Sequence, residues 1–155
     1  MAVKISKILF ATDFSESANH ALSYAVDLMK KYNAKLLILH VIEPIITPVD
    51  FAWGTYNYPD IEKQVREFAE EKMKTLVVES LPDGCQCETE IILGKPWREV
   101  VTYSRENSID LIVLASHGQS GISHAIFGST AEKIIRKSSC PVFTIKHPEA
   151  EYERP

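Results

Sequence analysis

Two hydrophobic patterns alternate along the chain. Short runs of β-branched and aliphatic residues give way to longer stretches whose apolar positions recur every three or four residues. Lys7 to Thr12, written K-I-L-F-A-T, predicts a first strand. From Ser15 to Tyr32, Ala18, Ala21, Leu22, Ala25, Val26, Leu28 and Met29 fall on one stripe of a helix, which Asn33 and Ala34 break. Lys35 to Val41 is almost wholly apolar, as a strand buried on both faces would be. Asp60 to Val78 predicts a second helix, with Ile61, Val65, Phe68, Ala69, Met73, Leu76 and Val77 inward. The charged residues between them, from Glu62 and Lys63 to Lys72 and Lys74, make its solvated face.

Beyond the turn Leu81-Pro82-Asp83-Gly84, Glu88 to Leu93 predicts a third strand. Gly94 ends it, and Pro96 suits the first position of a helix over Trp97 to Asn107, packed through Trp97, Val100 and Val101. Asp110 to Ala115 is a fourth strand, Ser129 to Lys137 a fourth helix and Val142 to Lys146 a fifth strand. Glu43 to Pro59 fits neither pattern. It carries three prolines and the aromatics Phe51, Trp53, Tyr56 and Tyr58, and reads as a long loop. Its aromatics either cover a ligand or pack back on the sheet.

The resulting order, βαβαβαβαβ, predicts an α/β fold: a single doubly wound domain with a five-stranded parallel sheet and helices on both faces. In such sheets ligands bind outside the carboxyl ends of the strands, where strand order reverses. That directs attention to Asp13, Val41, Gly94 and the run from Ala115.

Length and composition narrow the reading without changing it. The 155 residues fit one domain, expected over 1–146 with a loose tail over 147–155. Hydrophobic residues at 45% and charged residues at 25% exclude a disordered or disulfide-scaffold protein. A net charge of −4 argues against a protein held on nucleic acid by bulk electrostatics. The start of the chain lacks a signal-peptide pattern, and no apolar run approaches the roughly 20 residues of a membrane helix. With three cysteines read as reduced thiols, a soluble cytoplasmic protein is expected. The pair Cys85 and Cys87 is a weak metal signal without a second pair.

Chemistry concentrates in one loop. Three of the six glycines, Gly118, Gly121 and Gly128, lie between the fourth strand and fourth helix, in A-S-H-G-Q-S-G-I-S-H-A-I-F-G-S-T-A-E-K. Gly128-Ser129 opens a helix, whose free N–H groups and positive dipole end suit phosphate. The same residues fit a capping box, Ser129-x-x-Glu132, in which Ser129 only caps its helix. Neither a G-x-x-x-x-G-K-[ST] loop nor a G-x-G-x-x-G after the first strand occurs, which disfavours P-loop and dinucleotide-binding domains. A phosphoreceiver domain is disfavoured too, because the third strand ends in Leu93-Gly94 and not in an acceptor aspartate.

The spacing Ala115-x-x-Gly118, nine residues, Gly128-Ser129 resembles the nucleotide-binding motif of the universal stress protein family, G-2x-G-9x-G-[ST]. The start K-I-L-F-A-T-D-F-S-E-S-A, the run Gly94-x-Pro96-x-x-Glu99-Val100, the segment Asp110-Leu111-Ile112-Val113 and the ending Ser139-Cys140-Pro141-Val142 resemble the family as well. Together they span about Lys4 to Lys146. The resemblance implies a Rossmann-like domain of the adenine nucleotide α-hydrolase type. Its ATP-binding branch takes ATP, or AMP or ADP, with Mg²⁺ accompanying the nucleotide, and shows slow or no hydrolysis. Asp13 and the backbone of Val41 would border the adenine, and Ala115 and Gly118 would lie near the ribose and phosphates. Gly128, Ser129 and Thr130 would hold phosphates. Ala11, Thr12 and Leu114 at the same strand ends, with His117 and Gly121 in the loop, complete the candidate set. Ala115 departs from the motif's first glycine, a change tolerated unless the position needs positive φ.

Other readings of single residues stay open at this stage. Asp13 also fits a helix N-cap, three residues before Glu16. His117 is either a solvated loop residue or a phosphate contact, and His40 suits a hydrogen-bonded structural role. The resemblance further implies a homodimer through the last strand, Val142 to Ile145, whose apolar edge invites pairing. The competing function is a dimeric interaction protein of the same fold that has lost nucleotide binding.

Overall fold

The computed structural model describes residues 3–44, 58–118 and 127–148. The long loop's aromatics Phe51, Trp53 and Tyr56, together with Gly121 and the tail beyond Pro148, lie outside the described residues. The elements run β1 (Lys7–Thr12), α1 (Glu16–Tyr32), β2 (Lys35–Ile42), α2 (Tyr58–Ser80), β3 (Cys87–Leu93), α3 (Pro96–Glu106), β4 (Leu111–Ala115), α4 (Ser129–Lys137) and β5 (Val142–Ile145). The five strands form one parallel sheet in the order β3-β2-β1-β4-β5. This is the doubly wound α/β architecture that the alternating pattern predicts.

Period-two alternation sorts the strand residues onto two cores. Ile8, Phe10, Leu36, Ile38, Leu111 and Val113 face α1 and α2, where they meet Ala21, Leu22, Ala25 and Met73. Leu9, Leu37, Leu39, Ile112 and Leu114 face α3 and α4, where they meet Val100, Val101, Ala131 and Ile134. Both faces of the central strands are therefore covered, as all-parallel sheets require. At the amino end of the sheet, Asp110 Oδ2 accepts the N–H of Ser6 at 2.7 Å and of Lys7 at 2.9 Å. This fixes the start of β1 against the start of β4.

Two expectations about α2 are corrected. It begins at Tyr58, inside the stretch read as loop. Ile61, Val65 and Phe68, expected inward, are exposed, Phe68 by 61%. Of that inward set Ala69, Met73 and Leu76 are buried, and Val77 is half-buried against the core. For Ile61 and Val65 the cause of exposure is length, whereas Phe68 turns away from the sheet, with Lys72 Nζ 5.5 Å from its ring centroid. At about 1.5 Å per residue, 23 helical residues span about 34 Å, against about 23 Å for the seven residues of β3. The first turns of α2 overhang the carboxyl end of the sheet. Arg66 marks where contact begins, donating from Nη1 to the Ile91 carbonyl at 3.3 Å.

The turn into α3 requires glycine. Gly94 has φ 155°, and a Cβ there would stand 2.6 Å from Glu99 Cγ. Pro96 follows at the first turn of α3. Among the described residues, no helix is long and apolar enough to cross a membrane.

Candidate functional site

The order β3-β2-β1-β4-β5 places the reversal between β1 and β4, and the two strands part there. Their pairing covers only Ile8 with Leu111, Leu9 with Ile112 and Phe10 with Val113. Beyond that point β1 stays paired with β2 as far as Thr12–His40, and β4 with β5 as far as Ala115–Ile145. Each strand is held by its outer neighbour while the inner edge opens. A cavity of about 270 Å³ occupies the opening.

Of the sequence-predicted site residues within the described part, Ala11, Thr12, Asp13, Val41, Leu114, Ala115, His117, Gly118, Gly128, Ser129 and Thr130 line this cavity, whereas Gly94, the strand end of β3, does not. The lining also takes in Ala18, Leu39, Pro96, Val100, Ser116, Ala131 and Ile134, which the motif reading missed. Most of these were legible by periodicity. Leu39 shares a strand face with Val41, and Ala131 and Ile134 are the inward residues of the first two turns of α4. Ala11, Leu39, Val41, Leu114, Pro96 and Val100 supply apolar lining, and Thr12, Asp13, Ser116, His117, Ser129 and Thr130 supply polar groups.

At the start of α4 the backbone also faces the cavity. Gly128, and not Ser129, is the N-cap of α4 (φ −66°, ψ 157°), and it has no side chain with which to cap. The capping-box reading is thus overturned. Ser129 is already helical, and the Glu132 carboxylate turns away to Arg136 at 3.5 Å. The first N–H groups of a helix have no intrahelical acceptor, so α4 offers donors and its positive dipole end to the cavity. Gly128 is anchored there by its N–H, which donates to the Ser116 carbonyl at 2.8 Å. Ala115 has no positive φ and pairs with Ile145 as ordinary strand. Alanine therefore replaces the motif's first glycine without backbone strain.

Asp13 is not the cap of α1 either. Ser15 is, its hydroxyl accepting the Ala18 N–H at 3.2 Å. Asp13 instead closes a tight turn, Oδ1 accepting the Ser15 N–H at 3.0 Å. Its other oxygen, Oδ2, lies where a Cβ on residue 118 would have to stand. Glycine at 118 thus admits the Asp13 carboxylate against the β4–α4 loop. Between them in the turn, Phe14 takes φ 62°, a rare conformation for a bulky side chain.

Two histidines border this region. His117 is buried, 7% exposed, with Nδ1 3.1 Å from the hydroxyl of Ser116. It is not the solvated loop residue that one sequence reading allowed. His40 is hydrogen-bonded as expected, Nδ1 standing 2.9 Å from the Thr12 carbonyl. Burial lowers its pKa below the ordinary 6.5, against the opposing influence of that carbonyl and of Asp13. Away from the cavity, the Cys87 thiol is pushed up to about 11, chiefly by burial and further by Cys85 and Glu88. A thiol so protonated is a poor nucleophile and metal ligand at neutral pH.

Comparison with known proteins gives this site a family. The sequence profile of the universal stress protein family matches residues 4–146. The chain belongs to the universal stress protein family. One relative, Universal stress protein MJ0577 of Methanocaldococcus jannaschii, is 30% identical over 158 residues, covering 94% of this chain and 98% of that one. The solved structure of MJ0577 matches with a TM-score of 0.81 at 28% identity, over 95% of this chain and 99% of the other. Two more distant family structures, each 21% identical, share the fold. One is a universal stress protein in complex with cAMP, with a TM-score of 0.64 and coverage of 92% of this chain and 98% of that one. The other, from Arabidopsis thaliana with AMP bound, has a TM-score of 0.56 and covers 94% of each chain.

The two glycines facing the cavity differ in what a methyl would meet. At 118 it meets the Asp13 carboxylate, and at 128 only the Ser116 carbonyl at an ordinary 3.5 Å. Gly118→Ala should displace Asp13 and shift the Ser15 amide resonance, whereas Gly128→Ala should leave that resonance in place. Equal effects of the two variants at Ser15 would contradict the packing of Asp13 on Gly118.

Proposed function

We propose that the chain binds an adenine nucleotide, ATP in the first place, in the crevice between β1 and β4, and acts as a nucleotide-responsive module in the stress response. The observation that carries this is the pairing of an apolar slot with a bare helix start at the point where the strand order reverses. The base lies against Ala11, Leu39, Val41 and Leu114, bordered by Asp13 and by backbone groups of Val41. Ribose and phosphates follow past Ala115 and Gly118, and the phosphates end on Gly128, Ser129 and Thr130. Mg²⁺ arrives with the phosphates, and AMP or ADP would use the same slot with fewer contacts. Family membership and the AMP and cAMP complexes of distant relatives support the adenine class.

Magnitudes are sufficient. Each hydrogen bond to a charged phosphate oxygen contributes about 1.5–3 kcal/mol. Three of them with a buried base support a micromolar complex, about −8 kcal/mol. The described lining holds no lysine or arginine to meet charge developing on a transferred phosphoryl group, which supports binding over rapid turnover. Titration calorimetry of nucleotide-free protein with ATP and Mg²⁺ should give a micromolar Kd, weakened at least tenfold by Gly128→Val. No binding by well-folded wild-type protein would favour a nucleotide-free interaction protein of the same fold.

The protein acts as a cytoplasmic homodimer through β5 in this reading. The two sheet edges differ in kind. β3 turns exposed Glu88, Thr89 and Glu90 outward, whereas β5 is the uncharged run V-F-T-I with Phe143 42% exposed. Charge on an edge strand blocks pairing, and an apolar edge invites it. Light scattering at micromolar concentration should give twice the chain mass, falling to one chain mass in Phe143→Lys. A wild-type monomer would contradict the edge assignment.

A further inference from the structure

His40 ties together the two strand ends that form one side of the crevice. β1 ends at Thr12, beyond its last pairing with β4, and Thr12 lies opposite His40 in the β1–β2 register. The Thr12 carbonyl accepts from His40 Nδ1 at 2.9 Å. A carbonyl oxygen only accepts, so Nδ1 carries the proton. Burial keeps the ring neutral at pH 7, despite the Thr12 carbonyl and the Asp13 carboxylate. The imidazole is thereby fixed in one tautomer, with Nδ1–H toward β1.

The ring does a second thing. It lies against Phe14, with centroids 4.4 Å apart and planes inclined by 35°. Phe14 is the residue in the left-handed conformation, and nothing about phenylalanine favours that conformation locally. The Thr12 hydroxyl supports it from below, accepting the Phe14 N–H at 3.0 Å. Asp13 sits between these two held residues, with Oδ1 on the Ser15 N–H and Oδ2 against Gly118. The residue after His40 is Val41, which lines the same cavity from β2.

We infer that His40 is a positioning residue for the nucleotide site: its Nδ1–H, held on the Thr12 carbonyl, locks the Thr12–Phe14 turn that aims the Asp13 carboxylate into the crevice. The side chain does not line the cavity. It acts through Thr12 and Phe14 on one strand, while its own backbone carries Val41 on the next. This rests on the nucleotide reading above for its consequence, and on the hydrogen bond for its cause.

The test compares His40→Asn with His40→Leu. Asparagine places an amide N–H close to the position of Nδ1–H, and leucine fills the space without a donor. In nucleotide-free protein, the Asp13, Phe14 and Ser15 amide resonances should move in His40→Leu and return toward wild type in His40→Asn. Wild-type ¹⁵N spectra should show His40 as the neutral tautomer protonated at Nδ1. ATP affinity should fall at least tenfold in His40→Leu and stay within about threefold in His40→Asn. If His40→Leu does not fold, His40→Met, which also lacks a donor, takes its place with the same expectation. Unmoved turn amides in the donor-free variant would overturn the inference, as would equal ATP affinity in all variants or equal loss in both. If wild-type protein binds no ATP, the nucleotide reading fails, and the amide shifts still decide whether His40 holds the turn.

Discussion

The structure depends on where β1 and β4 stop pairing. A parallel strand shares its hydrogen-bonding groups with two neighbours, and a crevice opens only if one of those pairings ends early. Here the β1–β4 ladder ends at Phe10 and Val113, while β1–β2 and β4–β5 continue by two residues or more. The strands are clamped at the other end, where the Asp110 carboxylate takes two backbone N–H groups. Both flanks are packed by separate cores, so the opening does not collapse. What lies at the opening is therefore backbone and short side chains, held by a rigid sheet.

That arrangement explains the small residues. Close approach of a loop and a turn leaves room for a carboxylate only where a neighbour lacks a Cβ, and Gly118 supplies that room for Asp13. Gly128 serves differently. It starts a helix without capping it, leaving first-turn donors facing the cavity. A hydroxyl or carboxylate at that cap would accept one of those N–H groups itself. In the proposed function an anion would meet main-chain groups and a flat apolar body would meet strand residues. An adenine nucleotide has both parts.

Much of this was legible in the sequence, for definable reasons. Strand and helix order follows from hydrophobic period, and the crevice follows from topology alone. Ala115, Gly118 and Gly128 stand out because their spacing resembles the family's nucleotide-binding motif, and the structure brings them to one cavity with Asp13 and Val41. What failed were choices between neighbouring residues of similar propensity. Asp13 and Ser15 both make good caps, and Ser15 caps α1 because Phe14 adopts a left-handed turn against His40, a contact across 26 residues. Ser129 and Gly128 likewise compete for one helix start. The inward stripe of α2 was overextended because period does not reveal that a helix outruns its sheet. His117 looked like loop, yet it is buried beside a Ser116–Gly128 tie that no local pattern contains.

The central claim is a location: an adenine nucleotide occupies the β1–β4 crevice. The most direct measurement is an amide chemical-shift map of ¹⁵N-labelled protein titrated with ATP and Mg²⁺. The account predicts saturable shifts concentrated at Ala11–Asp13, Val41, Ala115–Gly118 and Gly128–Ala131, with the β3 edge and the exposed face of α2 unmoved. Saturable shifts centred elsewhere, or none at millimolar ATP, would contradict it.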